Sequence, residues 1–230
     1  MKKDLRIRSA EGKDFDCYVA TPDSRARTPA MVLASAIHGV NGDLRAIADE
    51  FAARGFLAAA PDLFWRSVPG PLAHDDPRSK PRGQPRLEKI RAGEQDLLDT
   101  LAMLKQEPSF NGNAAVIGFC YGGPYAILGP KRLGYAAGIS CHGTQMLDYL
   151  PEMEGLSKPV CVIWGDQDVM APPDVLAAYR AAAAKQKNLD LHVFPGVKHS
   201  YMMPGSKDAY DPKVRAFSMD KAFALLGALR

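Results

Sequence analysis

The sequence predicts an α/β fold, a mainly parallel central sheet with helices on both faces. Three observations predict it. Short apolar runs of strand length alternate with longer amphipathic runs of helical spacing. The most apolar runs, at 30–37, 114–118, 136–140 and 160–164, lack the alternation of a half-exposed strand, as strands buried on both faces do. No repeat or linker divides the 230 residues, so 1–230 reads as a single domain.

Residues 5–8 and 15–20 read as two opening strands joined by the turn Glu11-Gly12-Lys13. The buried run 30–37 follows, then a helix over 43–54 closed by Gly55, a residue suited to a helix C-cap. A strand at 56–60 is stopped by Pro61. In 87–105, Ile90, Leu97, Leu98, Leu101 and Leu104 recur at helical spacing, and Pro108 marks the end. After the strand at 114–118 comes a helix-compatible run at 125–128. Strands at 136–140 and 160–164, an Ala-rich helix over 174–187, a strand at 189–194 and a helix over 213–226 complete the chain.

Composition excludes several classes of function. Apolar residues make up 47% and charged residues 24%, the balance of a globular protein rather than a disordered chain. A net charge of +3, with both signs mixed, does not suggest a nucleic-acid binder. No apolar run approaches the roughly 20 residues that span a bilayer, and Met1-Lys2-Lys3-Asp4-Leu5-Arg6 does not open a secretory signal. Cys17, Cys120, Cys141 and Cys161 lack zinc or thioredoxin spacing. Free thiols in a reducing cytoplasm are therefore expected, as a monomer or homodimer without a membrane partner. One segment departs from the rest. Residues 66–91 hold five prolines and seven basic against three acidic residues, the composition of a binding loop or of a solvated excursion near a cleft.

The sharpest motif is Gly118-Phe119-Cys120-Tyr121-Gly122-Gly123, between a strand and a helix. Small residues two before and two after a central nucleophile mark a nucleophile elbow, a turn too tight for side chains at the flanking positions. Such a turn lifts Cys120 above the sheet at a helix N-terminus, which favours an anion and hence a thiolate. The three other cysteines lie in or beside apolar runs and read as buried and structural. A nucleophile needs a base, and the base an orienting group, here expected in the order nucleophile, acid, histidine. Strand 160–164 leads into Gly165-Asp166-Gln167-Asp168, and strand 189–194 into Lys198-His199-Ser200. The set is thus Cys120, Asp166 or Asp168, and His199. His192 lies within a strand, His74 within the polar excursion, and His38 and His142 end strands where they would line the same cleft. Oxyanion donors are expected from the backbone N–H groups of Tyr121 and of Ile37, the latter in the loop after the strand 30–35.

With these motifs the chain resembles the dienelactone hydrolase family of the α/β-hydrolase fold. The further landmarks are Ile37-His38-Gly39-Val40-Asn41 and Ala60-Pro61-Asp62-Leu63. The resemblance implies a Cys-His-Asp triad that opens an enol-lactone ring, and it selects Asp168 over Asp166. It implies a small ester or lactone substrate and neither a metal nor an organic cofactor. The family's glutamate before the oxyanion isoleucine is replaced by Ala36, and its carboxylate-binding arginine four residues after the histidine by Met203. A second carboxylate-binding arginine falls in the excursion, at Arg78 or Arg82. Met203 favours a less anionic ester, lactone or thioester. Ala36 cannot hold a neutral thiol, so Cys120 is expected to rest against His199 and to be readily alkylated. A cysteine amidase or peptidase on the same fold, and a non-catalytic ligand-binding homologue, are the alternative readings.

Overall fold

The computed structural model describes residues 1–24 and 26–230. Among these, β1 (Lys2–Arg8), β2 (Asp14–Ala20), β3 (Thr28–Ala34), β4 (Leu57–Pro61), β5 (Phe110–Phe119), β6 (Ala137–Cys141), β7 (Val160–Gln167) and β8 (Leu189–Lys198) form one sheet. Their order is β1-β2-β4-β3-β5-β6-β7-β8. β1 and β2 make the expected antiparallel hairpin, and Gly12 takes its left-handed position at φ 77. β2 pairs antiparallel with β4, and the six strands from β4 to β8 run parallel.

Alternate residues of the central strands feed two separate cores. Ala30, Val32 and Ala34 of β3 point into the core that also holds buried residues of α3 (Arg86–Leu104), α4 (Tyr125–Arg132) and α5 (Pro173–Ala183). Met31 and Leu33 face α1 (Gly42–Ala53) and α6 (Pro212–Gly227). Every residue of β3 is buried, which is why that stretch carries no polar alternation. Asn41 caps α1 by accepting from the Leu44 N–H, and Asp211 caps α6 by accepting from the N–H groups of Lys213 and Val214.

Some boundaries differ from the sequence reading. β3 stops at Ala34, and residues 35–41 form a loop in which the Gly39 N–H donates to the Ala36 carbonyl. Ile37 therefore lies on a loop above the sheet, where the sequence places the oxyanion donor, although the apolar run itself continues to Ile37. Pro61 ends β4 from within it, paired opposite Cys17. α5 ends at Ala183, before the charged stretch Lys185-Gln186-Lys187, which has no apolar face to bury. Within the excursion 66–91, a short helix α2 (Ser79–Arg82) forms, and a 3-10 segment spans Met146–Met153; the apolar periodicity of neither was long enough to read.

From β3 the chain crosses to β4 on one side, and later returns to place β5 on the other side of β3. In a parallel sheet such a reversal opens a crevice beyond the carboxyl ends of the two strands. The loop holding Ile37 and the turn holding Cys120 leave from those two ends.

Candidate active site

At the end of β5 the chain makes a 3-10 turn, Cys120–Gly122, before α4. Cys120 sits at φ 49, in the left-handed region that non-glycine residues avoid. The glycines around it are required sterically. A Cβ on Gly118 would fall on the Gly122 carbonyl, and one on Gly122 on the Ala34 carbonyl of the neighbouring strand. From the far side, the Thr144 N–H donates to the Cys120 carbonyl at 3.0 Å, and the Thr144 hydroxyl donates to it at 3.3 Å. Cys120 is partly exposed, whereas Cys17, Cys141 and Cys161 are buried. Burial pushes all three of those thiols up, that of Cys141 to about 12.

β7 and β8 bring an acid and a base to the same opening. Asp168 is buried just beyond β7, and both its carboxylate oxygens lie 2.9 Å from His199 Nδ1. Oδ1 also accepts from the Met170 N–H at 2.8 Å, which fixes the carboxylate. Asp166 is exposed and turned elsewhere. Its Oδ1 accepts from the Gly196 N–H at 2.8 Å and so ties the end of β7 to β8. Of the two acids left open by the local sequence, Asp168 is the one in contact with His199. Burial of His199 disfavours its charged form. Hydrogen bonds and charge from Asp168 and Cys120 outweigh this and raise its pKa to about 10.

His199, Cys120, Tyr121 and Ile37 line one cavity of about 450 Å³, together with Ala36, His38, Thr144, Gln145, Met170 and Ser200. A cavity of that size suits a small organic substrate. Four non-glycine residues among the described ones have positive φ: Cys120, His142, Gln145 and Ser200. Three of them line this cavity, and the fourth packs against His199. Such clustering is typical of sites where local strain is maintained by the surrounding structure.

The substrate-contact residues expected from sequence are placed differently. Arg78 is exposed and paired with Asp76. Arg82 is buried, donating to the carbonyls of Val68 and Gly70 with its guanidinium over the Phe64 ring. Met203 is buried in the core beside α6, because its N–H donates to the Ser200 carbonyl in a turn that carries the side chain inward. His142 is fully buried beneath the cavity. Its ring stands edge-on to His199 at 5.0 Å and to Tyr201 at 5.3 Å. Burial first, and the neighbouring His199 charge second, push it well below the ordinary imidazole range, so it is neutral. None of these four lines the cavity.

The cations that do line it are Lys80 and Arg86, whose positions the sequence reading did not single out. No carboxylate lines the cavity among the described residues. Arg86 donates to the carbonyls of Tyr121 at 3.0 Å and Thr144 at 2.9 Å, with its guanidinium 4.4 Å above the Tyr121 ring. It therefore braces the turn that carries Cys120. Asp62 anchors the start of the excursion by accepting from the N–H groups of Phe64 and Gly70. His38 lines the cavity, with the exposed His74 ring 4.3 Å from its own. Among the described residues no helix is long and apolar enough to cross a membrane.

Comparison with known proteins gives a consistent result. The model of the dienelactone hydrolase family matches residues 15–229. The carboxymethylenebutenolidase of Pseudomonas putida is 24% identical over 229 residues, covering 98% of this chain and 96% of that one. Two solved structures superpose over nearly the whole chain. A protein of Klebsiella pneumoniae assigned as a dienelactone hydrolase does so with a TM-score of 0.83 at 21% identity, covering 99% of this chain and 98% of that one. A dienelactone hydrolase-like promiscuous phosphotriesterase from metagenomic libraries gives 0.80 at 19% identity, with the same coverage. At such identities the structural likeness shows the fold.

Proposed function

We propose, from the premise that this chain belongs to the dienelactone hydrolase family and is an ester or lactone hydrolase, that Cys120 is its nucleophile and that turnover passes through a thioester. The observation that carries this reading is the position of Cys120. It stands at left-handed φ on a glycine-flanked turn, in the same cavity as a histidine held by a buried carboxylate.

The Cys120 thiolate attacks the carbonyl carbon, and the carbonyl electrons move to oxygen. The N–H groups of Ile37 and Tyr121 receive that oxyanion, a contribution of about 3–4 kcal/mol per donor in acyl-transfer sites. The tetrahedral intermediate collapses as the C–O bond breaks, and protonated His199 gives its proton to the leaving alkoxide. His199, now neutral and oriented by Asp168, takes a proton from water, which attacks the thioester. Collapse of the second intermediate expels the Cys120 thiolate, releases the acid and restores the protonated histidine. An amide demands protonation of its amine before it leaves, whereas an activated ester or a ring-opened enolate leaves readily. The substrate class is therefore an activated ester or lactone.

Lys80 and Arg86 make the wall electropositive, so a substrate carrying a carboxylate is accommodated without the arginine that Met203 replaces. The test is hydrolysis of a panel of neutral esters, anionic esters and lactones by the parent chain and by Cys120→Ala. The expected result is activity in the parent and none above background in the variant. Comparable rates in both would refute the assignment.

A further inference from the structure

β7 and β8 carry a second group of thiol, carboxylate and imidazole at the other end of the sheet from the cavity. In the parallel register Cys161 lies opposite Asp190, and His192 is two residues further along β8, on the same face as Asp190. One donor atom from each of Cys161, Asp190 and His192 lies within 4.8 Å of the other two. His192 Nε2 is 2.8 Å from Asp190 Oδ1, and Lys221 Nζ of α6 is 2.8 Å from Asp190 Oδ2. The Phe217 ring stands edge-on to His192 at 4.8 Å and fixes the imidazole plane. A cleft of about 370 Å³ reaches Cys161, Asp190 and Lys221 from the surface.

We infer that Cys161, Asp190 and His192 form a binding site for a divalent transition metal of the zinc class, which clips the edge strand β8 to β7 beneath α6. A thiolate, an imidazole and a carboxylate are the donor types that zinc accepts, and the thiolate disfavours magnesium and calcium, which take oxygen ligands. Charge balances. The thiolate and carboxylate neutralise the ion, the imidazole is neutral, and Lys221 keeps its contact on the carboxylate oxygen away from the metal. As the ion binds, the Cys161 proton leaves to solvent. Three protein ligands leave one coordination position, which the cleft opens to water. The Cys161 thiol also hydrogen-bonds the Asp190 side chain, so thiol, carboxylate and imidazole already converge on one point, as a shared ion requires. Cys161 precedes Asp168 by seven residues along an extended strand, roughly 20 Å, so this site is separate from the proposed hydrolytic one.

Because Cys120 and His199 are themselves a thiol–imidazole pair, the test uses Cys120→Ala as the parent background. Cobalt(II) is titrated into that protein, and into the same background carrying Cys161→Ser or His192→Ala, with far-ultraviolet circular dichroism confirming the fold. The expected result is one equivalent bound with a thiolate-to-cobalt charge-transfer band, reversed by zinc. Loss of either ligand should remove the band and weaken binding at least about 100-fold, more than the loss of a group that only hydrogen-bonds a ligand costs. Absence of the band in the background protein, or its survival in a folded ligand variant, would overturn the proposal. Should Cys161→Ser fail to fold, His192→Ala, which alters a partly exposed side chain, decides the outcome alone.

Discussion

At Cys120 the unusual feature is the backbone. A left-handed conformation at a non-glycine residue costs of order 1–3 kcal/mol, and here it turns the thiol toward His199 and the cavity. Replacing Cys120 by Ala should leave the thermal midpoint close to that of the parent while lowering kcat/KM by more than about 1000-fold, as loss of a covalent nucleophile does; a loss of tenfold or less would count against the role. Alkylation offers a second check at this scale. Iodoacetamide at neutral pH should modify Cys120 well before Cys17, Cys141 or Cys161, which are buried and whose thiols burial pushes up. Peptide mass spectrometry over time would read the order, and equal rates at all four would contradict it. The two neighbouring acids separate in the same way. Asp168→Asn removes the carboxylate on His199 Nδ1 and should cost several orders of magnitude in kcat, whereas Asp166→Asn alters only the tie to Gly196. Steady-state kinetics of the pair should show that asymmetry, and a more damaging Asp166→Asn would reverse the assignment.

The turn between β5 and α4 was legible because its physics is local: two glycines, a strand before and a helix after. Gly122→Ala places a methyl against the Ala34 carbonyl and must displace the turn or β3. Overpacking of this kind costs about 1–3 kcal/mol, so the denaturation midpoint should fall, and activity should fall further because Cys120 and the Tyr121 N–H move with the turn. The excursion 66–91 was less legible. Its length and charge marked it, but nothing in a proline-rich stretch without periodicity tells which cation faces inward. Arg82 is buried in carbonyl contacts and Arg78 pairs with Asp76, leaving Lys80 and Arg86 on the cavity wall. Lys80 is exposed at that wall, so Lys80→Met should raise KM for a carboxylate-bearing lactone several-fold while leaving a neutral ester of similar size unaffected. An equal change for both substrates would remove Lys80 from recognition. Met203 failed as a guide for a similar reason. The family resemblance placed it near the site, at the position of a carboxylate-binding arginine, but the turn at Ser200 carries it into the core.

Across the whole molecule, the mainly parallel sheet followed from alternating strand and helix runs, whereas the strand order that opens the crevice between β3 and β5 depends on how distant elements pair. Positions that depend on two distant elements were not readable, among them the edge-on packing of His142 on His199. The cross-strand group Cys161, Asp190 and His192 was not readable either, since its spacing along the chain resembles no metal motif. The protonated state of His199 also couples the site to global stability. Its pKa is raised in the folded protein from about 6.5 to about 10; burial opposes the charge, and Asp168 and Cys120 more than offset it. A raised value favours the fold below the unfolded value, and the contribution fades as pH rises through the folded one. Thermal midpoints measured between pH 6 and pH 10 should therefore fall more steeply for the parent than for His199→Ala, and parallel curves would show that no such coupling exists.

The measurement that tests the central claim most directly is mass spectrometry of the enzyme quenched in acid during turnover of an activated aryl ester. The account predicts a mass increase equal to the acyl group, located by peptide mapping on Cys120 and missing from Cys120→Ala. Turnover with an acyl group on a different side chain would contradict it, as would hydrolysis by Cys120→Ala at the parent rate.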